Sequence, residues 1–326
     1  MHAKAGSIVA RRPVQALLLR RAQNHSVTGD GLLHRRYARC HSTSSESRCT
    51  HSSSNNSSSL VQELMCGKGY SVLPGLVSAD DVQKAKSIIV EHSESHSDKV
   101  THFQGGQESR RLLQRRVWNL LNKGEVFERI VQLPRLMEAV GAFLGDQFCM
   151  GSVAANRILP GGPGQEPHID YPYWDMHKPS SFPNNINASF PLNCQVTILL
   201  DEFTPQNGAT AILPGSQVWC RYPQEGEEKM FFDKCERMVG KAGDGVIFFG
   251  LAWHCAMPNH SSRDRTGVLI QYLPKFVKPM EDQRAGVSQR VLERATPELK
   301  QLMGLTYPYP QVLDEAAAGN TEGRQL

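Results

Sequence analysis

The chain has 326 residues, 40% hydrophobic and 21% charged, an ordinary globular composition with length for one large domain or two small ones. Its formal charge of +4 comes from residues 1–59, which hold nine Lys or Arg against two acids, whereas the rest of the chain holds 27 basic and 30 acidic side chains. The globular part is therefore mildly acidic, which argues against a nucleic-acid partner, and no apolar run reaches the ~18 residues of a membrane span.

Residues 1–59 are Arg-rich and poor in acids, and ten of the nineteen residues 41–59 are serine. Such a segment cannot bury a core and is expected to be disordered. It reads as a transit peptide for the mitochondrion or plastid, with a basic amphipathic stretch at Val9–Ala22 and a processing-like Arg36-Tyr37-Ala38. A cytoplasmic protein with a disordered extension is the alternative. The eight cysteines form no CxxC pair, so they are expected to be reduced and mostly buried.

From Leu60 the texture becomes globular. Gly69–Gly75 reads as a short strand and turn. Ser78, with Asp81 three residues on, starts a helix whose apolar face is Val82, Ala85, Ile88 and Ile89. A second helix is predicted over about Arg111 to Leu121, and a third from Pro134 to just before Gly145. From Gln147 onward the chain turns to short strands broken by Gly, Pro and Asn. They are Phe148–Leu159, Glu166–Tyr171, Asn193–Leu200, Thr210–Leu213, Gly245–Phe249 and Gly267–Leu273.

Helices in front of strands at this spacing predict a mainly β, α+β fold: a jelly roll behind an N-terminal helical layer. The expected limits are a single domain over 60–310, with a helical layer at 60–146, a jelly-roll core at 147–275 and a C-terminal segment at 276–310. Residues 311–326 are expected to be a flexible tail. The polar, Pro- and Asn-rich segment Asp175–Phe190 is expected to be a loop over the site.

The chemistry gathers around Gly164–Trp174. His168 and Asp170 lie two apart, and on an extended strand such side chains share one face. An imidazole and a carboxylate aimed together are two thirds of the 2-His-1-carboxylate set that holds non-haem Fe(II). His254, 84 residues beyond Asp170, directly follows a strongly apolar strand and can complete the set. Eleven residues later, Arg265 can grip a carboxylate with two parallel hydrogen bonds.

Other matches are assigned to the surface. His92-Ser-Glu94 and His96-Ser-Asp98 share the spacing but sit at the polar end of a predicted helix, where such side chains diverge. His177 and His260 lie in polar loops. Arg110, Arg111, Arg115 and Arg116 are assigned to a solvated helix face rather than a phosphate site.

Three ordered blocks then resemble the phytanoyl-CoA dioxygenase (PhyH) family: Gly164-x3-His168-x-Asp170; Leu200-Asp201-Glu202-Phe203-Thr204-x2-Asn207-Gly208-Ala209-Thr210-x3-Pro214-Gly215-Ser216; and His254-x4-Asn259-x-Ser261-x3-Arg265. The resemblance runs from about Gly69 to Tyr309. It implies a double-stranded β-helix, with Fe(II) held by His168, Asp170 and His254, and 2-oxoglutarate and O2 as co-substrates. The resemblance also makes Arg265 the anchor of 2-oxoglutarate. Gln195 and Thr197, inward-facing on the central strand, are candidates for further co-substrate contacts. Tyr171, Tyr173 and Trp174 are candidate pocket walls for the substrate.

The implied reaction oxidises, most simply hydroxylates, a C–H bond of a small molecule, releasing succinate and CO2. Desaturation or ring closure are variants, and a catalytically silent jelly roll is the alternative from another class. Asp170 argues against halogenation, because related halogenases lack this carboxylate. Two departures stand out: Gln217 replaces a His often found after Pro-Gly-Ser, and Ala256 replaces a Ser often found two residues beyond the distal His.

Overall fold

Caps and apolar alternation set the elements one by one. The computed structural model describes residues 54–95, 112–170 and 190–306. Helix α1 (Ser54–Cys66) starts within the Ser/Asn run that the sequence assigned to the disordered extension. The apolar residues that follow the run carry it: Leu64 is fully buried, with Leu60 and Met65 packed beside it. Strand β1 (Tyr70–Leu73) leads to α2 (Ala79–Ser95), whose first turn is capped where Asp81 N donates to Ser78 Oγ at 3.2 Å. Strand β2 (Gln114–Val117), α3 (Glu125–Val131) and α4 (Pro134–Leu144) follow; α4 opens on proline and stops at Gly145, where φ is +84°.

The remaining strands are β3 (Phe148–Ile158), β4 (Cys194–Leu199), β5 (Ala211–Ile212), β6 (Glu236–Arg237), β7 (Gly245–Phe248), β8 (His254–Cys255) and β9 (Arg265–Pro274), with helix α5 (Glu228–Lys234) before β6. A six-stranded antiparallel sheet runs β1-β7-β4-β9-β3-β2, and a three-stranded sheet runs β6-β5-β8. A single antiparallel bridge, His168 to His254, adds the HxD segment to the smaller sheet. Helices α6 (Gln283–Gly286), α7 (Gln289–Arg294) and α8 (Pro297–Leu302) close the described part, with Val291, Leu299 and Leu302 in the core.

Three expectations are corrected. The helix predicted over Arg111–Leu121 is β2 followed by a 3-10 turn at Leu120–Asn122; Arg111 itself lies outside the described residues. The spacing of Leu113, Val117 and Leu121 imitates a helix. The free edge of β3 decides otherwise, because pairing there satisfies backbone groups along Gln114–Val117. The predicted strand Glu166–Tyr171 reduces to the His168 bridge, since Pro163 and Pro167 lack the N–H groups a longer ladder needs. The segment 60–146 is more than a helical layer, because β1 and β2 form the two outer edges of the large sheet. Most other predicted strands agree within two residues.

Among the described residues the six cysteines are all free, with Cys149, Cys194 and Cys255 buried. No described helix is long and apolar enough to cross a membrane.

Candidate active site

The two sheets enclose a cavity of about 820 Å³. His168, Asp170 and His254 meet on its wall, each with a ligand atom within 4.8 Å of the others. His168 Nε2 lies 3.6 Å from Asp170 Oδ1, and His254 Nε2 lies 3.3 Å from Asp170 Oδ2.

Local backbone bonds create this convergence. His168 and His254 exchange two N–H···O bonds of 3.0 Å, and Asp170 N donates to Gly250 O at 2.9 Å. Gly250 is required there, since a Cβ would collide with Asn193, whose Nδ2 donates to Asp170 O. Gln165 ties the same segment to the chain after His254, donating its N–H to Ala256 O at 2.8 Å.

Each imidazole is oriented from behind. His168 Nδ1 lies 2.8 Å from Glu166 O and His254 Nδ1 lies 2.9 Å from Ala252 O, so each Nδ1 carries the proton and each Nε2 offers its lone pair. Asp170 Oδ2 accepts from Gln195 Nε2 at 3.1 Å. Burial lowers the pKa of His168, and the charge of His254 adds to this. Burial opposes charge on His254 too, but the adjacent Asp170 outweighs it and raises that pKa. Burial pushes Asp170 upward, yet His254, His168 and Arg116 hold it at about 2, so it is a carboxylate at neutral pH.

This donor set fits a divalent transition metal. Octahedral bonds of ~2.1 Å place neighbouring donor atoms about 3 Å apart, close to the spacings found here, and two imidazoles with one carboxylate suit Fe(II).

Arg265 lies in the same cavity, 3% exposed, with its guanidinium carbon 4.3 Å from the centre of the Phe203 ring. Its Nε is buried without a hydrogen-bond partner. Burial, reinforced by repulsion from Arg116 and Arg237, lowers its pKa to about 9. A guanidinium held this way is prepared for an anion the protein itself does not supply.

Gln195 and Thr197 both line the cavity, but the Gln195 amide is engaged with Asp170. Ala256 lines it as well, offering only a methyl group where a hydroxyl would bond. Tyr171, Tyr173, Trp174, His96, His177, Arg110 and Arg111 lie outside the described residues. His260 is exposed, and Glu94 pairs with Arg115 and Arg157, so neither belongs to the site.

Arg116 is the residue that sequence reasoning misplaced. It is not on a solvated helix face but on β2, lining the cavity, with a buried Nε that has no partner. Burial lowers its pKa to about 10, partly offset by Asp170. The signal was the alternation Gln114, Arg116, Trp118, which a strand reading would have placed on one face.

The other motif residues are scaffolding. Ser216 Oγ accepts from Trp253 N at 2.8 Å and so fixes the residue before His254. Gln217 Nε2 donates to Gly67 O at 3.0 Å, holding the end of α1. Asn259 Nδ2 donates to Ile158 O and Arg263 O, which joins the end of β3 to the approach of Arg265.

The chain is similar in sequence to several fungal dioxygenases. The dioxygenase trt7 of Aspergillus terreus is 27% identical over 57% of this chain and 63% of its own. Dioxygenase cdmA of Talaromyces verruculosus is 30% identical over 48% and 50%, and the multifunctional dioxygenase prhA of Penicillium brasilianum is 29% identical over 48% and 49%. The chain thus spans from about half to under two thirds of the length of these relatives. In three dimensions it resembles the non-haem α-ketoglutarate-dependent epimerase SnoN from nogalamycin biosynthesis, with a TM-score of 0.53 at 15% identity over 70% of this chain and 87% of the other. SnoN has also been solved with Fe3+, α-ketoglutarate and a nogalamycin compound, and that form matches with a TM-score of 0.54 at 14% identity, covering 70% of this chain and 88% of that one. At that identity the likeness shows the fold, a jelly roll with flanking helices. Residues 65–267 match the phytanoyl-CoA dioxygenase (PhyH) family, and the chain belongs to it.

Proposed function

We propose that the protein is an Fe(II)- and 2-oxoglutarate-dependent dioxygenase that hydroxylates a C–H bond of a small molecule. The observation that carries this reading is one cavity holding both the His168–Asp170–His254 donor set and the buried guanidinium of Arg265, whose Nε has no partner. Fe(II) bound there would supply the redox chemistry by which O2 converts 2-oxoglutarate to succinate and CO2 and oxidises the substrate.

The residues do the rest. His168, Asp170 and His254 hold the ion through three protein atoms and leave room beside them. Arg265 takes the distal carboxylate of 2-oxoglutarate in a two-pronged grip. Arg116, the second buried cation and close enough to Asp170 and Arg265 to act on both, balances the other carboxylate. Two guanidiniums facing a dianion remove the repulsion that otherwise destabilises the empty cavity. Ala154, Phe248 and Leu269 give the walls an apolar surface that limits water near the reacting groups.

Anaerobic titration with Fe(II) and 2-oxoglutarate, followed by succinate measurement across a metabolite library, tests the reading. Metal-dependent succinate release that His168→Ala abolishes supports it. Absence of iron binding by the intact protein would sink it in favour of a silent jelly roll.

A further inference from the structure

The cavity has a second carboxyl group away from the metal donors. Glu281 follows β9 in the segment Lys278–Glu281, which forms part of the cavity wall. Its backbone N donates to Gly151 O at 2.9 Å, at the bulge where the β3–β9 register shifts between Met150 and Ser152. Gly151 leaves room at the bulge for the side chains of Gln271 and Leu273, which a Cβ there would displace. The fold therefore spends an irregularity in its longest strand to hold this segment over the cavity.

The carboxyl group is fixed yet incompletely used. Gln283 Nε2 donates to Oε2 at 2.9 Å, and the Val153 backbone amide supports it too. Oε1 is buried without a partner. A buried carboxylate oxygen left bare is unfavourable unless a ligand supplies a donor. The register also gives its place relative to the metal donors. Ser152 pairs with Gln271, and Gln271 pairs with Gln195, whose amide holds Asp170. At ~4.8 Å per strand, that row separates the β3 backbone from the β4 backbone, whose Gln195 reaches Asp170, by about 10 Å.

We propose that Glu281 is a substrate-specificity residue, whose carboxylate receives an N–H or O–H donor on the primary substrate at a point of the cavity wall apart from the metal donors. The substrate class is then a largely apolar molecule with an amine or hydroxyl handle, remote from the C–H bond that reacts. Leu269, Met280 and Pro279 provide the apolar contacts between the two ends. This inference rests on the active-site reading above and deepens it.

The test uses the full chain loaded with redox-inert Zn(II) and 2-oxoglutarate, whose binding is measured first. The probes are matched fragments: 2-phenylethanol against its methyl ether, and 2-phenylethylamine against its trimethylammonium derivative. Affinities come from ligand-observed NMR with wild type, Glu281→Leu and Glu281→Gln. The donor-bearing member of at least one pair should bind about tenfold more tightly than its capped partner in wild type. That ratio should fall to about one in Glu281→Leu, while 2-oxoglutarate affinity stays within twofold. If Glu281→Leu does not fold, the isosteric Glu281→Gln carries the test: an amide oxygen accepts more weakly than a carboxylate, so either preference should be reduced severalfold. Equal binding of both members to wild type, a preference that survives both substitutions, or no binding by any donor fragment overturns the proposal. Failure of Zn(II) and 2-oxoglutarate to bind would instead overturn the underlying active-site reading.

Discussion

Substituting Arg265 by leucine should have opposite effects on ligand affinity and on the stability of the ligand-free protein. The guanidinium is 3% exposed, has a partnerless Nε, and faces repulsion from Arg116 and Arg237. Its pKa of about 9, against an ordinary 12.5, corresponds to a cost on the order of 5 kcal/mol for the charged form. Replacing such a charge with an apolar group of similar reach is neutral or stabilising by up to about 4 kcal/mol, less the lost packing on Phe203. The same change removes a charge-assisted pair of hydrogen bonds to the 2-oxoglutarate carboxylate, each worth about 1.5–3 kcal/mol, so affinity should fall roughly 100-fold or more. Calorimetric titration of 2-oxoglutarate into the metal-loaded protein, with thermal unfolding of the apoprotein, reads both. A Tm lowered by several degrees with 2-oxoglutarate affinity within threefold of wild type would refute the reasoning, because it would show an arginine that serves the fold.

Three further outcomes are expected. Gln195→Leu removes the bond to Asp170 Oδ2 and should weaken metal binding about 10–100-fold, read by Co(II) titration; unchanged affinity would return Gln195 to a direct co-substrate role. Burial raises the Glu281 pKa to about 7 from 4.5, so the group favours the fold most below 4.5, and this contribution is lost as pH rises through about 7. The Tm of metal-free Glu281→Gln relative to wild type should therefore climb between pH 5 and pH 8, by the equivalent of at most ~3 kcal/mol; a pH-independent difference would contradict it. We propose that residues 1–59 fused ahead of a fluorescent protein direct it to mitochondria or plastids, and diffuse cytosolic fluorescence would reject that proposal.

The candidate iron ligands were legible because their spacing is local or bounded by strong signals. His168 and Asp170 are two residues apart, and His254 follows an apolar strand whose burial any hydrophobicity reading detects. Gly-, Pro- and Asn-rich punctuation likewise marked nearly every strand of the core. The errors fell where a distant partner decides the conformation. Leu113, Val117 and Leu121 have helical spacing in isolation, and pairing with the open edge of β3 makes Gln114–Val117 a strand. That change of element carried Arg116 from a presumed solvated face into the cavity.

The sequence by itself marked the candidate donor set, the jelly-roll class and an arginine suited to a dicarboxylate, through residue types, strand punctuation and the order of its family-like blocks. Tertiary structure alone decided which polar groups share the cavity and how each is occupied. Gln195 is committed to Asp170, Arg116 joins Arg265, and Glu281 is brought over the same sheet by a bulge more than a hundred residues before it. Sheet register creates these meetings, and it depends on pairings between strands that no local pattern encodes.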